Sequence, residues 1–296
     1  MRWWIFSIEV SRKKYALQQS PENVIRDLAN ETVLITGGTM GIGLACALSF
    51  AAQGAKCVLT YKWGTADEDA VREQFARIRA QEPDIVRADA GNSDDTRNLM
   101  QHLKSRTNGV GVFVSNVSAA LIVGELKDYS PKGLFRSIEY SAWPMVEYTM
   151  QLHETFGQYP RYVVGISSAG VDMYSRGYDF MAASKAVMET LCRYLSYRLE
   201  ESGVRINVIR TCNVRTLALE DTFGKEFAEF MARFVRDEHF IDPQEVAGVV
   251  LALASGLLDG MNGQVITVDR GTMFFDNIRH LYEERGRLGL NQGNRG

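Results

Sequence analysis

Seven short runs of β-branched and apolar residues recur along the chain from residue 32 onward, with helix-length segments between them. In order, the runs are TVLIT, KCVLTY, DIVRAD, VGVFVSN, RYVVGISS, VRINVIR and GQVITVD. Runs of this kind predict strands that are buried on both faces, and such strands form parallel sheets covered by helices. The sequence therefore predicts an α/β fold with a doubly wound parallel sheet of about seven strands.

The segments between the runs define the helices and the domain limits. Helices are predicted over residues 41–53, 67–81, 94–106, 131–155, 178–202 and 243–255. Because no linker divides the pattern, we expect a single domain over residues 31–275. An N-terminal extension, 1–30, precedes it, and a Gly/Asn-rich C-terminal tail, 276–296, follows it. The aromatic residues near the start are expected to pack on the body or on a neighbouring subunit.

Composition excludes several classes of protein. A net charge of −3 without a long basic run argues against nucleic acid as the main partner, because phosphate binding needs clustered Lys and Arg. No run approaches the roughly 20 apolar residues that cross a bilayer, so no membrane partner is expected. The cysteines lack zinc-ligand spacing, which predicts no metal site and reduced thiols in a cytoplasmic protein. They are Cys46, Cys57, Cys192 and Cys212.

A glycine-rich turn, TGGTMGIG at residues 36–43, follows the first strand run and opens directly into a helix-like segment. Glycines let the backbone approach a diphosphate, and the free N–H groups of a helix N-terminus favour the anion. The arrangement predicts a Rossmann-type dinucleotide site. Its expected cofactor-binding residues are Gly37, Thr39, Met40, Gly41, Ile42 and Gly43, with Asp89 after the third strand run.

The end of the second strand run bears on which nucleotide binds. NAD sites usually place an acidic residue there for the ribose hydroxyls. Here the run ends in Lys62, and no carboxylate follows until Asp67. A cation at this position favours a 2′-phosphate, so NADPH is predicted, with NADH as the alternative if Lys62 is an ordinary solvated lysine.

Further motifs extend along residues 31–275. They are Asp89, SN at 115–116, ISS at 166–168, Lys185, RINVI at 205–209 and GQVITVD at 263–269. Together with the glycine turn they resemble the short-chain dehydrogenase/reductase superfamily in order and approximate spacing. The resemblance implies a single-domain Rossmann-type fold, a homodimer or homotetramer, and a nicotinamide cofactor. It also implies cofactor contacts at Asn116, Lys185, Val214 and Thr216.

The register of the catalytic residues is intact except at one position. Ser168 lies 17 residues before Lys185, as the catalytic serine and lysine of typical members do. Met181 therefore occupies the position of the catalytic tyrosine. Because a thioether neither donates a proton nor carries one near neutral pH, conventional ketone reduction by this residue is excluded.

A tyrosine lies one helical turn before Met181. Residues seven apart on a helix return to within roughly 20° of each other, so Tyr178 and Lys185 are predicted to share a face. The hydroxyl is displaced by about 4.5 Å along the axis. In an α,β-unsaturated thioester, hydride reaches Cβ and negative charge develops on the carbonyl oxygen three bonds away. The displaced hydroxyl suits that separation and would stabilise the enolate.

The pattern Tyr-x-x-Met-x-x-x-Lys, at Tyr178, Met181 and Lys185, resembles enoyl-acyl carrier protein reductases that keep a regular glycine loop. The resemblance implies an acyl-thioester or other small-molecule substrate and acyl carrier protein as a candidate partner. Tyr178 would act on the developing oxyanion and Lys185 would bind the nicotinamide ribose. For Ser168, a catalytic role and a role in shaping the pocket remain equal alternatives. Tyr174 is a second candidate donor.

Three functions remain open at this point. They are NADPH-dependent reduction of an enoyl thioester or related alkene, carbonyl reduction or alcohol oxidation by the displaced tyrosine, and non-catalytic nucleotide binding. An aromatic stripe at Phe223, Phe227, Phe230 and Phe234 would suit an apolar substrate, and a core or subunit-interface role is equally consistent with it.

Overall fold

The structure is a computed structural model that describes residues 25–62, 67–119, 122–216, 239–274 and 276–289, and positions 224, 226, 229 and 231. Two expectations lie outside the described residues. One concerns the N-terminal aromatic residues Trp3, Trp4 and Phe6. The other concerns the aromatic stripe of Phe223, Phe227, Phe230 and Phe234.

All seven predicted strands are present and form one parallel sheet. They are β1 (Thr32–Thr36), β2 (Lys56–Tyr61), β3 (Asp84–Arg87), β4 (Val112–Ser115), β5 (Tyr162–Ser168), β6 (Arg205–Thr211) and β7 (Val265–Val268). Their spatial order is β3-β2-β1-β4-β5-β6-β7, with each neighbouring pair parallel. The doubly wound α/β prediction is thus confirmed.

Helices connect the strands, and short polar side chains begin several of them. The helices whose bounds the structure gives are α1 (Gly41–Ala51), α2 (Glu68–Arg77), α3 (Ser93–Arg106), α4 (Pro131–Ser141), α5 (Trp143–Phe156), α6 (Asp179–Arg198), α7 (Pro243–Ala254) and α8 (Asn277–Glu283). The side chain of Asn92 accepts from the backbone N–H groups of Asp94 and Asp95 and so caps α3. Helix α8 lies in the segment that the sequence assigned to the C-terminal tail.

Helices cover both faces of the sheet because the strands are apolar on both faces. On β1, Val33 and Ile35 belong to one buried cluster, which includes Phe50 of α1 and Val246 of α7. The residue between them, Leu34, belongs to a second cluster with residues of α3, α5 and α6. The side-chain alternation of one strand therefore contributes to both cores.

The segment predicted as one helix over residues 131–155 is two helices, and this expectation was wrong. The break falls at Ala142, whose φ of −118° and ψ of −47° depart from regular helix. Pro144 follows, in the first turn of α5. Proline has no N–H for the helical ladder, and its ring clashes with the carbonyl four residues before, so the chain starts a new helix here. Just before the break, Tyr140 of α4 contacts Lys62 and Asp89, which follow β2 and β3.

Strand order reverses at β1, which lies between β2 and β4. In open α/β sheets, ligands bind in the crevice beyond the carboxyl ends of the strands at such a reversal. The glycine turn, Asp89, Asn116 and Ser168 all lie at the carboxyl ends of β1, β3, β4 and β5. The fold therefore gathers these predicted residues at one edge of the sheet.

Candidate active site

The glycine turn has the close backbone packing that a diphosphate cradle needs. Gly37 and Gly41 have φ values of +63° and +53°, which L side chains rarely adopt. A Cβ on Gly43 would lie 2.1 Å from the carbonyl oxygen of Gly37, so this position admits only glycine. Met40 precedes α1 without a side-chain cap, which leaves the helix N-terminus to an external anion. The turn fits a nucleotide diphosphate.

Asn116 locks the turn from the end of β4. Its Nδ2 donates to the carbonyl oxygens of Thr36 at 3.0 Å and Gly37 at 2.9 Å. Its backbone N–H donates to Oγ1 of Thr36 at 3.1 Å. Asn116 thus fixes the shape of the turn from within the protein.

Val214 and Thr216 follow β6, and Thr216 lies close to the glycine turn. Val214 is 8% exposed and forms a parallel bridge with Ile241. A Cβ built on Gly41 would lie 3.4 Å from Cγ2 of Thr216. The structure therefore brings both residues to the cofactor edge that the sequence assigned them to. Thr39, Met40 and Ile42 lie in the turn and the start of α1, with Met40 53% exposed.

Lys62, which the sequence placed near a 2′-phosphate, and Asp89, another expected cofactor-binding residue, form an ion pair with each other. Lys62 Nζ also donates to the hydroxyl of Tyr140 at 2.6 Å, and that hydroxyl lies 3.1 Å from Asp89 Oδ2. Burial alone would lower the pKa of Lys62, but the hydrogen bonds to Asp89 and Tyr140 outweigh it, so the pKa is raised. The cation at the end of β2 is therefore balanced by a carboxylate.

Tyr178 lies immediately before α6 rather than inside it, with a φ of −90° and a ψ of 8°. Its carbonyl oxygen accepts a hydrogen bond from the N–H of Ala182 at 2.8 Å, so the first turn of α6 holds the backbone of Tyr178 in place. The ring packs against Gly170, where a Cβ would lie 2.5 Å from Cδ1 and 2.6 Å from Cε1. The hydroxyl is hydrogen-bonded to the side chain of Ser168. Tyr178 and Ser168, two of the candidate site residues, thus lie together at the end of β5.

The Tyr178 phenol keeps its proton at neutral pH. Burial raises the pKa of Tyr178, and the hydrogen bond to Ser168 offsets only part of this rise. Cys212, at the end of β6, lies close enough to Tyr178 for a thiolate charge to raise its pKa further. A protonated hydroxyl beside Ser168 can donate to an oxyanion. Tyr174, the second candidate donor, is 87% exposed and stands in the loop before α6.

Lys185 lies within α6 and is only 4% exposed. Its Nζ donates to the carbonyl oxygen of Ile166 in β5 at 2.7 Å. Burial lowers the pKa of Lys185 to about 7, while the charge of Glu189 acts in the opposite direction. An ammonium has three N–H donors, so this bond leaves two others for a ligand.

Met181 is 4% exposed, and its sulfur lies among three serine hydroxyls. Ser118 Oγ lies 3.1 Å from Met181 Sδ, and Ser141 and Ser184 Oγ lie 3.8 Å from it. Ser118 and Ser141 also bond each other at 3.0 Å. The space that a tyrosine hydroxyl would need at this position is therefore filled by a buried thioether and its neighbours.

Several residues of the site escaped the sequence analysis. The sequence gives no role to Tyr140, Gly170, Ser118 or Ser141, because their roles depend on contacts between distant segments. Glu189 had a local signal, since a carboxylate four residues after Lys185 lies on the same face of a helix. Arg210, its partner on β6, had none.

The described residues also bear on metal binding, membrane insertion and the state of the cysteines. Within the described ranges, no three His, Cys, Asp or Glu side chains cluster as a metal site would require. The helices of that same part of the chain are too short or too polar to span a bilayer. All four cysteines are free, and Cys46, Cys57 and Cys192 are buried.

The fold and the site define a class of protein, and a family model makes the class specific. A parallel sheet with a glycine turn at the strand reversal, together with a serine, a tyrosine and a lysine at β5 and α6, defines a nucleotide-dependent oxidoreductase. A family model described as enoyl-(acyl carrier protein) reductase matches residues 37–273, which is most of the chain. The chain therefore belongs to this family, within the short-chain dehydrogenase/reductase superfamily.

Similar proteins have varied substrates. A glucose and ribitol dehydrogenase homolog of Oryza sativa subsp. japonica is 25% identical over 281 residues, covering 88% of this chain and 94% of that protein. An enoyl-[acyl-carrier-protein] reductase [NADH] of Aquifex aeolicus is 26% identical over 252 residues, covering 82% and 92%. A 7α-hydroxysteroid dehydrogenase solved with NADH and 7-oxo glycochenodeoxycholic acid has a TM-score of 0.73 and 22% identity, covering 86% of this chain and 98% of that one. The protein is an oxidoreductase of this superfamily, and its substrate is a separate question.

Proposed function

We propose that the protein reduces the C=C bond of an enoyl thioester, or of a related activated alkene, with a nicotinamide nucleotide as reductant. The observation that carries the proposal is the displacement of the hydroxyl. Met181 fills the usual tyrosine position with a buried thioether, while the hydroxyl of Tyr178 bonds Ser168 one helical turn away. A donor placed further from the hydride acceptor fits a substrate whose charge develops on a remote oxygen.

The residues divide the chemistry as follows. A reduced nicotinamide nucleotide, when bound at the glycine turn, supplies the hydride. The Tyr178 hydroxyl would donate a hydrogen bond to the thioester oxygen on which negative charge develops, and a proton from solvent would add at Cα to complete the reduction. Ser168 orients the Tyr178 hydroxyl. Lys185 binds the nicotinamide ribose and adds positive charge near the oxyanion.

For the nucleotide we propose NADPH, with NADH as the alternative. The support for NADPH is a cation at the end of β2, Lys62, where NAD sites usually have a carboxylate. The ion pair of Lys62 with Asp89 weakens this support, because it balances the cation before any 2′-phosphate arrives. We expect both nucleotides to bind, with a modest preference for NADPH. Free thiols also agree with a cytoplasmic location.

A second candidate is oxidation or reduction at a hydroxyl-bearing carbon, as the names of the dehydrogenase relatives indicate for those proteins. The regular glycine turn is common to both candidates. In this second function, Tyr178 would exchange a proton with the substrate oxygen directly. A non-catalytic nucleotide-binding protein would keep the turn and show no turnover.

Comparing two matched thioesters separates these functions. Purified protein is mixed with NADPH and either an enoyl thioester or the 3-oxoacyl thioester of the same chain length, and absorbance at 340 nm is followed. We expect oxidation of NADPH with the enoyl substrate, on CoA or acyl carrier protein. Turnover of the 3-oxoacyl substrate alone would select the second candidate. Confirmed NADPH binding without turnover of either thioester would contradict the proposed reaction.

A further inference from the structure

A cleft of about 590 Å³ lies at the amino ends of the strands, away from the candidate active site. Its walls come from the segment before β1, the first residue of β2, the end of α3 with the loop that follows, and the segment before β5. The glycine turn lies at the carboxyl end of β1, and the five residues of that strand separate its two ends by about 13 Å. The cleft is therefore separate from the nucleotide site.

Five cationic side chains and one carboxylate line this cleft, which we call the basic cleft. The cations are Arg26, Lys56, Lys104, Arg106 and Arg161, and the carboxylate is Glu31. Because the whole chain has a net charge of −3, this excess of positive charge is local and does not follow from composition. Volumes of roughly 300–1,000 Å³ are typical of small-molecule sites, and the basic cleft falls in that range.

Two of the five cations already have carboxylate partners. Arg26 Nη2 lies 2.5 Å from Glu31 Oε2. Arg161 Nη2 lies 2.7 Å from Oδ2 of Asp259. The other three cations have no carboxylate partner in the part of the chain that the structure describes, and they are Lys56, Lys104 and Arg106. The basic cleft thus has three cations that no carboxylate among these residues balances.

Helix polarity accounts for part of this arrangement. Lys104 and Arg106 lie in the last turn of α3, where cations stabilise the negative end of the helix dipole. Lys56 is instead the first residue of β2, and strands contribute only small dipoles. The dipole of α3 therefore does not explain why a third cation, from a separate strand, lines the same cleft.

Hydrogen bonds within the protein fix one wall of the basic cleft. This wall is the loop of residues 107–111, between α3 and β4. Thr107 Oγ1 lies 2.8 Å from Thr32 Oγ1 and donates to the carbonyl oxygen of Gly109 at 2.9 Å. A Cβ on Gly109 would lie 2.4 Å from Nε2 of Gln158, so the glycine makes room for that amide. A ligand would meet a wall that is already formed, which lowers the entropic cost of binding.

The counter-charge for the three cations is expected to come from outside the chain. Residues 1–24 contain four basic and two acidic residues, and residues 290–296 contain one basic and no acidic residue. Both segments are therefore net positive and do not supply the missing negative charge.

The lining of the basic cleft indicates a ligand with more than one phosphate. Arg and Lys are the usual side chains for binding phosphate, the first as a fork of donors and the second as a point charge. A phosphate monoester has about 1.5 to 2 negative charges at pH 7. Three unbalanced cations therefore match a diphosphate better than a single phosphate.

We propose that the basic cleft is a second ligand site, which binds the diphosphate group of a small molecule. Lys56, Lys104 and Arg106 neutralise the phosphates, while the side-chain amides of Asn108 and Gln158 offer further donors from the walls. Inorganic diphosphate and a nucleoside diphosphate share this chemistry. The site does not depend on the reaction proposed for the carboxyl edge of the sheet.

The test measures binding of inorganic pyrophosphate by titration calorimetry at low ionic strength, with the glycine turn saturated by NADPH. We expect one saturable site per chain and weaker binding of orthophosphate. In Lys56→Gln/Lys104→Gln/Arg106→Gln, pyrophosphate affinity should fall by about tenfold or more, because charge-assisted hydrogen bonds are lost. NADPH affinity should stay the same in this cleft variant, because its three positions lie at the amino edge.

The matched control is Lys127→Gln/Lys132→Gln/Arg279→Gln, which removes the same charge from exposed positions outside the basic cleft. It should keep the pyrophosphate affinity of the unaltered protein. An equal loss in the control would mean a general charge effect and would overturn the proposal. The absence of saturable pyrophosphate binding to the unaltered protein would overturn it as well.

Two further ligands identify the chemistry of the occupant. Citrate, a tricarboxylate, should bind more weakly than pyrophosphate, and equal affinity would contradict a diphosphate site. ADP distinguishes the two sources of a diphosphate group. ADP binding that is tighter than that of pyrophosphate and is lost in the cleft variant would support a nucleoside diphosphate. Weaker ADP binding would support inorganic diphosphate.

The outcome is separable from the proposed function. Loss of enoyl turnover with intact pyrophosphate binding would reject the reaction and leave the second site supported. If NADPH does not bind, pyrophosphate binding that the cleft variant loses and the control keeps would still assign that binding to the basic cleft.

Discussion

At the scale of single residues, the site combines groups whose roles the sequence could assign with groups that only contacts reveal. The motif order assigned Ser168 and Lys185, and the structure places both at the joined ends of β5 and α6. The polarity of the adenosine end was less predictable. In the sequence, Lys62 is a lysine at the end of a strand run, but in the structure Asp89, which follows β3, and the hydroxyl of Tyr140 in α4 both bond to it. Such long-range pairing leaves no local pattern.

The ion pair of Lys62 and Asp89 leads to a prediction about nucleotide preference. Asp89→Asn should release the lysine charge and shift the ratio of dissociation constants toward NADPH over NADH by about tenfold. The substitution keeps an oxygen that can accept from the N–H of Gly91, as Asp89 does at 3.0 Å. Binding of the two nucleotides is measured by fluorescence titration.

The control for this prediction is Asp84→Asn. Asp84 is the first residue of β3, at the amino end of the strand, whereas Asp89 follows its carboxyl end. The carboxylate of Asp84 pairs with His102. Its removal should leave the NADPH to NADH ratio as it is. An unchanged ratio in Asp89→Asn would show that the Lys62 charge does not act on the 2′-phosphate.

At the scale of elements, the connection from β5 to α6 sets the position of the displaced hydroxyl. The chain passes through Gly170, whose missing side chain admits the ring of Tyr178. The carbonyl oxygen of Tyr178 accepts a hydrogen bond in the first turn of α6, so the position of the ring is coupled to the start of the helix. The sequence predicted the helix and its start to within one residue. It did not predict the break at Ala142, although Pro144 was the local signal for it.

Gly170→Ala should move the Tyr178 ring and lower turnover while nucleotide affinity stays the same. The added Cβ would lie about 2.5 Å from the ring carbons, closer than real contacts allow, so the ring must shift. A misplaced donor should cost about tenfold or more in kcat. Steady-state kinetics and NADPH binding are measured together.

A double-mutant cycle tests whether this effect acts through Tyr178. In a Tyr178→Phe background, Gly170→Ala should cost little more, because the hydroxyl is already absent. Full additivity of the two losses would mean that Gly170 acts on something other than the tyrosine.

At the scale of the whole molecule, the fold was predictable and the substrate was not. Seven apolar runs and a glycine turn were enough to predict a parallel sheet and the edge at which a ligand binds. Strand burial and turn conformation depend on residues that are close together in the sequence. Substrate choice depends on loops around the carboxyl edge, and residues 217–223 and 232–238 lie outside the described part. The names of similar proteins refer to carbohydrate, steroid and acyl substrates.

Exposed large side chains on three helices are candidate contacts for the homodimer or homotetramer that the superfamily resemblance implies. Helices α4, α5 and α6 present large exposed side chains, including Phe135, Trp143, Tyr194 and Tyr197, with exposed fractions of 67%, 42%, 66% and 80%. Exposed apolar surfaces of this kind mark association sites. We expect Tyr194→Glu/Tyr197→Glu to convert the oligomer to monomers in light scattering. A monomeric unaltered protein at micromolar concentration would contradict this assembly.

The central claim is that the catalytic hydroxyl has moved to Tyr178, and one measurement tests it most directly. NADPH oxidation with an enoyl thioester is compared between the unaltered protein and Tyr178→Phe, with Tyr174→Phe as the exposed control and NADPH affinity measured for each. We predict that Tyr178→Phe lowers kcat by about 10²–10³-fold, the cost of losing one oxyanion donor, with NADPH affinity unchanged. Tyr174→Phe should retain full turnover. Equal turnover in Tyr178→Phe and the unaltered protein would contradict the claim.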